Sequence, residues 1–367
     1  MVDRIKSIET YCLELPYRHL VNFRSVQESA GPYLLIRIKT KDGAEGLAEC
    51  VSRPRQAGGL DPKTMAYQID TFFAPILAGR DPFDHNRILE DMGIIKGCTQ
   101  ARALIDVALW DLKGKLLGQP VWRLLGGGEA KPVSVTWLVH GNTAKKMTAE
   151  AVAKVKRGFR NLKIKVWKRS MEDVRMVRDI RKAVGKDILI YCDANSAYTE
   201  SEARNILSNL VEYDVVFLEE PCKIGTNDRR AALAHDLPIP VLGDQVCENL
   251  EAVHDLIKAN AVGAVSVKPG RTGITESLKI IALCEGAGIP AVIGTGSESR
   301  LGSMSRLHLR CAIPSLDPWP TETHFFEKLE DDVYDGPFEF KNGALTVYDE
   351  PGFGGRIDEK KLKRYRV

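Results

Sequence analysis

Seven short apolar runs, each followed by an amphipathic stretch, constrain the fold of this chain more than any other feature of its 367 residues. Apolar residues in the intervening stretches keep the spacing that is typical of α-helices. Strands that are apolar on both faces and alternate with helices are typical of a parallel sheet covered by helices. Because the units are numerous and evenly spaced, we predict an α/β protein with a (β/α) barrel of seven or eight strands. The runs lie within residues 133–139, 161–167, 188–195, 215–221, 240–244, 264–270 and 291–297.

The residues before the first of these runs have a different pattern, which predicts an α+β module. Apolar and polar residues alternate in two segments, and the second ends in an Asp42-Gly43 turn that is typical of a hairpin. Strands are predicted at 5–15 and 33–40, helices at 64–77, 85–92 and 100–117, and polar loops at 17–31 and 52–61.

The chain becomes polar and β-like again after Pro318, which indicates that its end returns to the N-terminal module. We therefore predict one domain over residues 1–126, completed by about residues 330–367. The barrel is predicted to occupy residues 127–329.

Composition excludes several classes of protein. Lysine and arginine number 52 against 49 aspartate and glutamate, and no long basic run is present, which argues against a nucleic-acid partner. No apolar run approaches the roughly 18 residues of a membrane helix. The eight cysteines are scattered without a CxxC pair, which is typical of reduced thiols. We therefore expect a cytoplasmic protein with neither a nucleic-acid nor a membrane partner.

An ionisable side chain stands at the end of each of five successive predicted strands. Between Lys165 and Lys268 the spacings are 28, 26, 25 and 24 residues, which is one βα unit each time. Because parallel barrel strands end at one face, we expect these side chains to meet there. Lys163 precedes Lys165 by two residues and therefore lies on the same side of its strand. The strands between carry Asp193, Glu219 and Asp244.

This set of side chains suits proton chemistry at a carboxylate. Three carboxylates from adjacent strands could hold a hard cation such as Mg²⁺. The flanking lysines could act as bases, because mutual repulsion and burial lower the pKa of a lysine. A single strand-end carboxylate is more often a helix cap or a solvated charge, and Glu220, next to Glu219, should face the opposite way. The ordered series is what indicates function.

The motifs together resemble the enolase superfamily, in particular the mandelate racemase and muconate-lactonizing family of the two-lysine type. Residues 103–127 (ALIDVALWDLKGKLLGQPVWRLLGG) resemble the signature helix of that family. The resemblance implies a modified TIM-type barrel and an α+β capping domain formed by the N-terminal region and the C-terminal tail. The matching motifs are Lys163-Ile164-Lys165, Asp193-Ala194-Asn195, Glu219-Glu220-Pro221, Gly243-Asp244 and Lys268 followed by Gly270 and Gly273.

The resemblance also assigns roles to residues. It implies that Lys165 and Lys268 form the acid/base pair and that Lys163 tunes Lys165. The implied ligands of Mg²⁺, for which Mn²⁺ is a possible substitute, are Asp193, Glu219 and Asp244. Glu322, within residues 317–323, would be an active-site glutamate, Glu298 is a weaker candidate, and Asn195 is a candidate for substrate contact.

Two features of the sequence bear on the type of reaction. Gln245 follows Asp244 where the family often has an acidic residue, which leaves the direction of catalysis open. Residues 291–299 read AVIGTGSES and contain no histidine base, which favours the two-lysine arrangement over that of mandelate racemase.

The predicted reaction is removal of the proton α to a carboxylate through an enediolate. A cycloisomerase or a racemase/epimerase is favoured, with an acid dehydratase as the alternative within the superfamily. A catalytically inactive binding protein that keeps the fold is the alternative from another class. The expected partner is a small carboxylate, which the cap loops would select through His19, Arg24 and Arg53, and a homo-oligomer is expected.

Overall fold

A three-stranded antiparallel sheet forms the N-terminal part of the protein: β1 (Ile5–Asn22), β2 (Gln27–Thr40) and β3 (Glu45–Val51). The computed structural model describes residues 3–22, 27–52, 60–139, 141 and 143–367. Between β2 and β3 the chain places Gly43 at φ 95°, in the left-handed region that glycine enters without steric cost. The predicted hairpin is confirmed.

Strands β1 and β2 pair as a hairpin, and both are longer than the strands predicted at 5–15 and 33–40. Residues 17–22 and 27–31, which we expected in a polar loop, belong to its two strands, and Val21 pairs with Glu28 beyond a register shift that follows Pro16. The loop prediction is wrong for these residues. A strand with many polar side chains is difficult to predict from sequence, because the hydrogen bonds that define it are made by the backbone.

Helices of the N-terminal half pack on this sheet. They are α1 (Pro62–Gln68), α2 (Ala74–Leu77), α3 (His85–Gly93), α4 (Thr99–Leu117) and α5 (Val121–Leu124), with a π-helical turn, Ile69–Phe73, between α1 and α2. The predicted helix over 100–117 is confirmed, and it ends at Gly118, whose φ is 62°. Gly46 of β3 allows α4 to approach closely, because a Cβ there would lie 2.2 Å from the Ala108 carbonyl oxygen.

Seven parallel strands, neighbours in chain order, form the barrel sheet. The short strand β4 (Val133–Ser134) precedes them. They are β5 (Thr136–Val139), β6 (Asn161–Lys165), β7 (Leu189–Asp193), β8 (Val215–Glu219), β9 (Val241–Gly243), β10 (Ala264–Val267) and β11 (Ala291–Ile293). Each lies within a run where a strand was predicted, so the α/β fold class is confirmed.

Residues 320–322 close the barrel as an eighth, very short strand. On one side Glu322 N donates to Ile293 O at 2.8 Å, and on the other Thr136 N donates to Thr321 O at 2.8 Å. The first and last strands of the sheet are therefore joined through this segment, and all strand ends face a common opening.

Helices alternate with the barrel strands. They are α6 (Ala144–Lys156), α7 (Met171–Val184), α8 (Glu200–Ile206), α9 (Asn227–Asp236), α10 (Leu250–Lys258), α11 (Pro269–Ala287) and α12 (Arg300–Ala312). We did not predict α12. Its residues 301–309 are all buried, including Arg306 and His308, so its polar residues do not mark a solvent-exposed side.

The C-terminal tail contacts both parts of the molecule. Leu345 pairs with Val133 at the start of the barrel, and Glu359 Oε1 lies 2.5 Å from Arg37 Nη2 of the N-terminal sheet. Its elements are β12 (Tyr334–Asp335), β13 (Phe340–Lys341), β14 (Ala344–Leu345), β15 (Arg356–Ile357) and α13 (Glu359–Tyr365). The domain boundaries at residues 126 and 329 stay predictions. None of the helices in the described ranges is long and apolar enough to cross a membrane.

A buried carboxylate joins α4 to the turn that follows Lys268. Asp106 accepts hydrogen bonds from Thr275 N at 2.9 Å and Thr275 Oγ1 at 2.6 Å, and its Oδ1 lies 2.7 Å from His85 Nε2. It thereby caps the part of α11 beyond Gly273, where φ is 75° and the helix is interrupted. The start of the part of α11 beyond Gly273 is therefore held by the N-terminal half of the chain.

A second buried carboxylate, Glu49 of β3, faces the start of α12. Glu49 accepts hydrogen bonds from Ser299 N at 3.2 Å, from Gly302 N at 3.1 Å and from the Ser299 hydroxyl. Burial raises the pKa of Glu49 to about 8, the nearby charge of Glu298 adds to the rise, and the hydrogen bonds oppose it. We therefore expect the stability of this contact to depend on pH.

Stability should fall with rising pH because of Glu49. The unfolded carboxyl has a pKa near 4.5, so between about pH 4.5 and 8 the folded chain holds a proton that the unfolded chain has lost. This lowers the free energy of unfolding by up to about 1.4 kcal/mol per pH unit. Glu49→Gln removes the titration, so in urea unfolding its stability relative to wild type should increase across this window. A difference that is constant with pH would contradict the assignment.

Candidate active site

The side chains predicted at the strand ends converge into one cluster. Lys163, Asp193, Glu219 and Asp244 are all buried, and Glu322 joins them from the closing segment. Buried ionisable groups are costly unless they are paired. The pairing pattern therefore shows how the cluster is held together.

Lys163 lies at the centre of the cluster. Its Nζ is 2.7 and 2.9 Å from the two carboxylate oxygens of Glu219, 3.1 Å from Asp193 Oδ2 and 2.9 Å from Glu322 Oε1. Burial lowers the pKa of Lys163, but these carboxylates raise it by more, to well above its usual range. The expected lowering of a lysine pKa by burial and repulsion is therefore wrong for Lys163. The Lys163 ammonium group is the countercharge of these three carboxylates in this structure.

Lys165 leans toward the neighbouring strand. Its Nζ contacts Asp193 Oδ2 and Asn195 Oδ1, while Asp193 Oδ1 accepts a hydrogen bond from Asn195 N at 2.8 Å. Burial raises the pKa of Asp193, and the charges of Lys163 and Lys165 lower it by more. Asn195 therefore orients both the lysine and the carboxylate, while its contact with substrate stays a prediction.

Lys268 stands on the other side of the barrel, paired with Asp244 at 2.6 Å. Arg271 donates to Asp244 O at 2.8 Å and to Ser266 O at 2.9 Å, which ties the ends of β9 and β10 together. Burial raises the pKa of Asp244, but Lys268 and Arg271 bring it below its usual range. Gly294 leaves space for the lysine, because a Cβ there would lie 2.7 Å from Lys268 Cε.

Glu220 supports the cluster through the backbone that follows β9. As expected it does not join Glu219, and its backbone lies in the left-handed region at φ 42°. It is buried, and its Oε1 accepts hydrogen bonds from Asp244 N at 2.8 Å and Val246 N at 3.2 Å. Glu220 therefore fixes the backbone that carries Asp244.

Comparison with known proteins identifies this arrangement. Residues 8–126 match the mandelate racemase/muconate lactonizing enzyme N-terminal domain, and residues 146–361 match the enolase C-terminal domain-like family. The chain belongs to the enolase superfamily. Within it, the mandelate racemase/muconate lactonizing enzyme family and the muconate-lactonizing type are confirmed, and the chain is an enzyme of the isomerase class.

Three similar proteins have names that describe three different activities. The structure of muconate lactonizing enzyme from Pseudomonas fluorescens with muconolactone matches with a TM-score of 0.94 and 28% identity over 100% of both chains. The N-succinyl-L-Arg/Lys racemase of Bacillus cereus is 26% identical over 99% of this chain and 98% of its own. The arabinonate dehydratase of Saccharolobus solfataricus is 32% identical over 71% of each chain.

Enzymes of this family are generally metal-dependent, and the donor set here fits a hard divalent cation. Asp193, Glu219 and Asp244 bring carboxylates from three adjacent strands, and Mg²⁺ prefers oxygen ligands. In the part of the chain that the structure describes, no three acidic, histidine or cysteine side chains are grouped as a ready metal site. The three carboxylates are paired with lysines, which supply the countercharge: Lys163 contacts Asp193 and Glu219, and Lys268 contacts Asp244.

The other candidates for substrate binding have different surroundings. Glu298 accepts hydrogen bonds from Gly296 N at 2.7 Å and Thr295 Oγ1 at 2.8 Å, and it contacts the buried Arg306. Its carboxylate therefore holds the loop after β11. His19 is exposed on the β1–β2 hairpin, while Arg24 and Arg53 lie outside the described residues. Contact of these residues with substrate stays a prediction.

Three residues of the site were not predicted. Arg271 and Trp167 follow the two candidate bases, and Trp167 is partly exposed with its ring 5.9 Å from Lys165 Nζ. Tyr191 precedes Asp193 by two residues and therefore points to the same side of β7. This alternation was the signal in the sequence that could have identified Tyr191. We missed it because an aromatic residue in an apolar run is usually a core residue.

Loss of Lys163 should make stability depend on divalent cations. Lys163→Met removes the ammonium group from buried Glu219 and Glu322 and leaves Asp193 with Lys165 alone, which should cost about 3–5 kcal/mol. Added Mg²⁺ should restore more of the melting temperature in this variant than in wild type. Lys115→Met is a matched control, because it removes the partner of buried Asp111 at 2.7 Å on α4. Equal Mg²⁺ responses in the two variants would contradict the countercharge role.

Proposed function

We propose that the protein is a divalent-metal-dependent isomerase that moves the proton α to a carboxylate between two lysines. The observation that carries this proposal is the placement of Lys165 on β6 and of Lys268 directly after β10. These strands are four positions apart in a barrel that residues 320–322 close as the eighth strand, so the two ammonium groups approach from opposite walls. A planar intermediate bound between them would present one face to each.

The residues between the two lysines suit the binding of a carboxylate. Asp193, Glu219 and Asp244 would hold the cation, which when bound supplies positive charge for the substrate carboxylate and for the enediolate. Lys165 would exchange a proton with one face of the α-carbon and Lys268 with the other. Lys163 keeps the carboxylates neutralised, and Asn195 keeps Lys165 oriented.

The fate of the enediolate determines the product. Return of a proton from the second lysine gives racemisation or epimerisation, and ring formation or opening gives cycloisomerisation. The similarity to muconate lactonizing enzyme and to N-succinyl-L-Arg/Lys racemase supports these two outcomes. Similarity to arabinonate dehydratase supports the second candidate, loss of a β-hydroxyl from a sugar acid. A dehydratase would release a 2-keto acid, which an isomerase would not.

Solvent deuterium exchange tests the two-lysine proposal. With Mg²⁺ in D₂O, wild type should exchange the α-proton of a substrate found in a panel of dicarboxylates, N-acyl amino acids, dipeptides and sugar acids. Lys165→Ala and Lys268→Ala should each slow turnover by about 100-fold or more, because each removes one acid/base group. Lys279→Ala, an exposed lysine of α11, should have no effect.

Two results would contradict this proposal. If both active-site variants exchange as fast as wild type, neither lysine is a base. If no member of the panel exchanges with metal-loaded wild type but some bind, the chain is better described as a binding protein that keeps the fold.

Removal of metal tests the cation separately. EDTA should abolish exchange, and Mg²⁺ or Mn²⁺ should restore it. In calorimetric titration with Mg²⁺, Asp193→Asn and Glu219→Gln should bind more weakly than wild type. Asp332→Asn is the control, because this buried carboxylate accepts from Arg300 N at 2.8 Å at the start of α12 and lies outside the ligand set. Full activity in EDTA would remove the cation from the proposal.

A further inference from the structure

A buried tyrosine reaches the carboxylate of the closing strand. Tyr191 lies on β7, is fully buried, and donates its hydroxyl hydrogen to Glu322 Oε1 at 2.7 Å. The two residues are 131 positions apart in the chain, and this bond joins the middle of the barrel sheet to the segment that closes it. A hydroxyl in an apolar interior requires such a partner, so the contact is specific.

Lys163 binds the same oxygen from the neighbouring strand. Its Nζ lies 2.9 Å from Glu322 Oε1, so an ammonium from β6 and a phenol from β7 share one acceptor. Within the described residues, both side-chain hydrogen bonds of Glu322 fall on Oε1. Two donors from different directions fix the plane of a carboxylate better than one, and Oε2 is left for other contacts.

The aromatic ring of Tyr191 is held by packing, independently of this hydrogen bond. It belongs to a small apolar cluster inside the barrel, together with Phe217, Leu242, Ala264 and Val292. Phenylalanine would fill the same space. The hydroxyl group therefore orients the Glu322 carboxylate and is not needed to fill the core.

We propose that Tyr191 is a positioning residue, which together with Lys163 holds Glu322 by Oε1 so that Oε2 faces the substrate. This inference rests on the proposed function, because it takes the carboxylate substrate to bind beside this cluster, and it adds Glu322 to the residues that act on it. Tyr191 itself does not touch the reacting atoms. It acts only through the orientation of Glu322.

Tyr191→Phe tests the inference in the full-length, Mg²⁺-loaded enzyme. We expect kcat to fall about tenfold, the effect of one hydrogen bond to a charged group, with KM changed less than about twofold. Glu322→Gln should lower kcat at least as much, and the double variant should be no slower than Glu322→Gln alone. Additive losses in the double variant, or an unchanged kcat in either single variant, would overturn the proposal.

A second tyrosine provides the matched control. Tyr198 also donates its hydroxyl to a buried carboxylate, Asp173 Oδ2, at 2.5 Å, but this pair lies between α7 and the loop after β7. Tyr198→Phe removes an equivalent hydrogen bond, so it should lower the melting temperature without lowering kcat. If Tyr191→Phe behaves in the same way, its role is structural and the proposal is wrong.

A crystallographic measurement separates this inference from the proposed function. In Tyr191→Phe the Glu322 carboxylate should turn away from its wild-type plane, and in Tyr198→Phe it should not. If wild type exchanges no α-proton, the proposed function fails, while an unturned Glu322 in Tyr191→Phe overturns the positioning role on its own. A turned carboxylate together with a lower kcat supports it.

Discussion

The ion pairs of Lys163 are the interaction on which the rest of the site depends. One ammonium group contacts Asp193, Glu219 and Glu322, which come from β7, β8 and the closing strand. Carboxylates this close would repel one another in a buried place, and one of them would take up a proton. The burial of Glu219 and its proximity to Asp193 do raise its pKa, and Lys163 is the group that opposes this rise. Lys163 reduces the rise in the pKa of Glu219 but does not cancel it, so the crowding of acidic side chains still favours a proton on Glu219.

The backbone at the strand ends is adapted to this crowding. Asn195, Ser196, Glu220 and Ser297 all have positive φ and all follow barrel strands. Such conformations cost free energy in residues other than glycine, and they persist where surrounding contacts over-determine them. Here Glu220 is tied to the backbone of Asp244, and Tyr33 of the N-terminal sheet donates to Ser297 O at 3.0 Å. The backbone at the opening of the barrel is therefore held by contacts to which the N-terminal sheet contributes.

Elements with a strong local pattern could be predicted, and those shaped by distant contacts could not. The barrel strands and α4 were found because apolar periodicity and glycine stops act over a few residues. Helix α12 buries polar residues such as Arg306 and His308, so polarity did not indicate which residues are exposed. The long β1–β2 hairpin was missed because its extension depends on pairing between two polar segments. In the site, the ordered lysines and carboxylates were visible from their spacing, while the partner of each was not.

The sequence by itself determined the fold class, the strand ends and the order of charged side chains along them. Regularly spaced βα units form parallel strands, and the carboxyl ends of parallel strands in a barrel lie at the same face, so side chains at these ends must meet there. Tertiary structure alone decided how the charges pair: Lys163 with three carboxylates, Lys268 with Asp244, and Tyr191 with Glu322. Each of these pairs joins different strands. Their distances depend on how the barrel closes, and barrel closure is a property of the whole sheet rather than of any local segment.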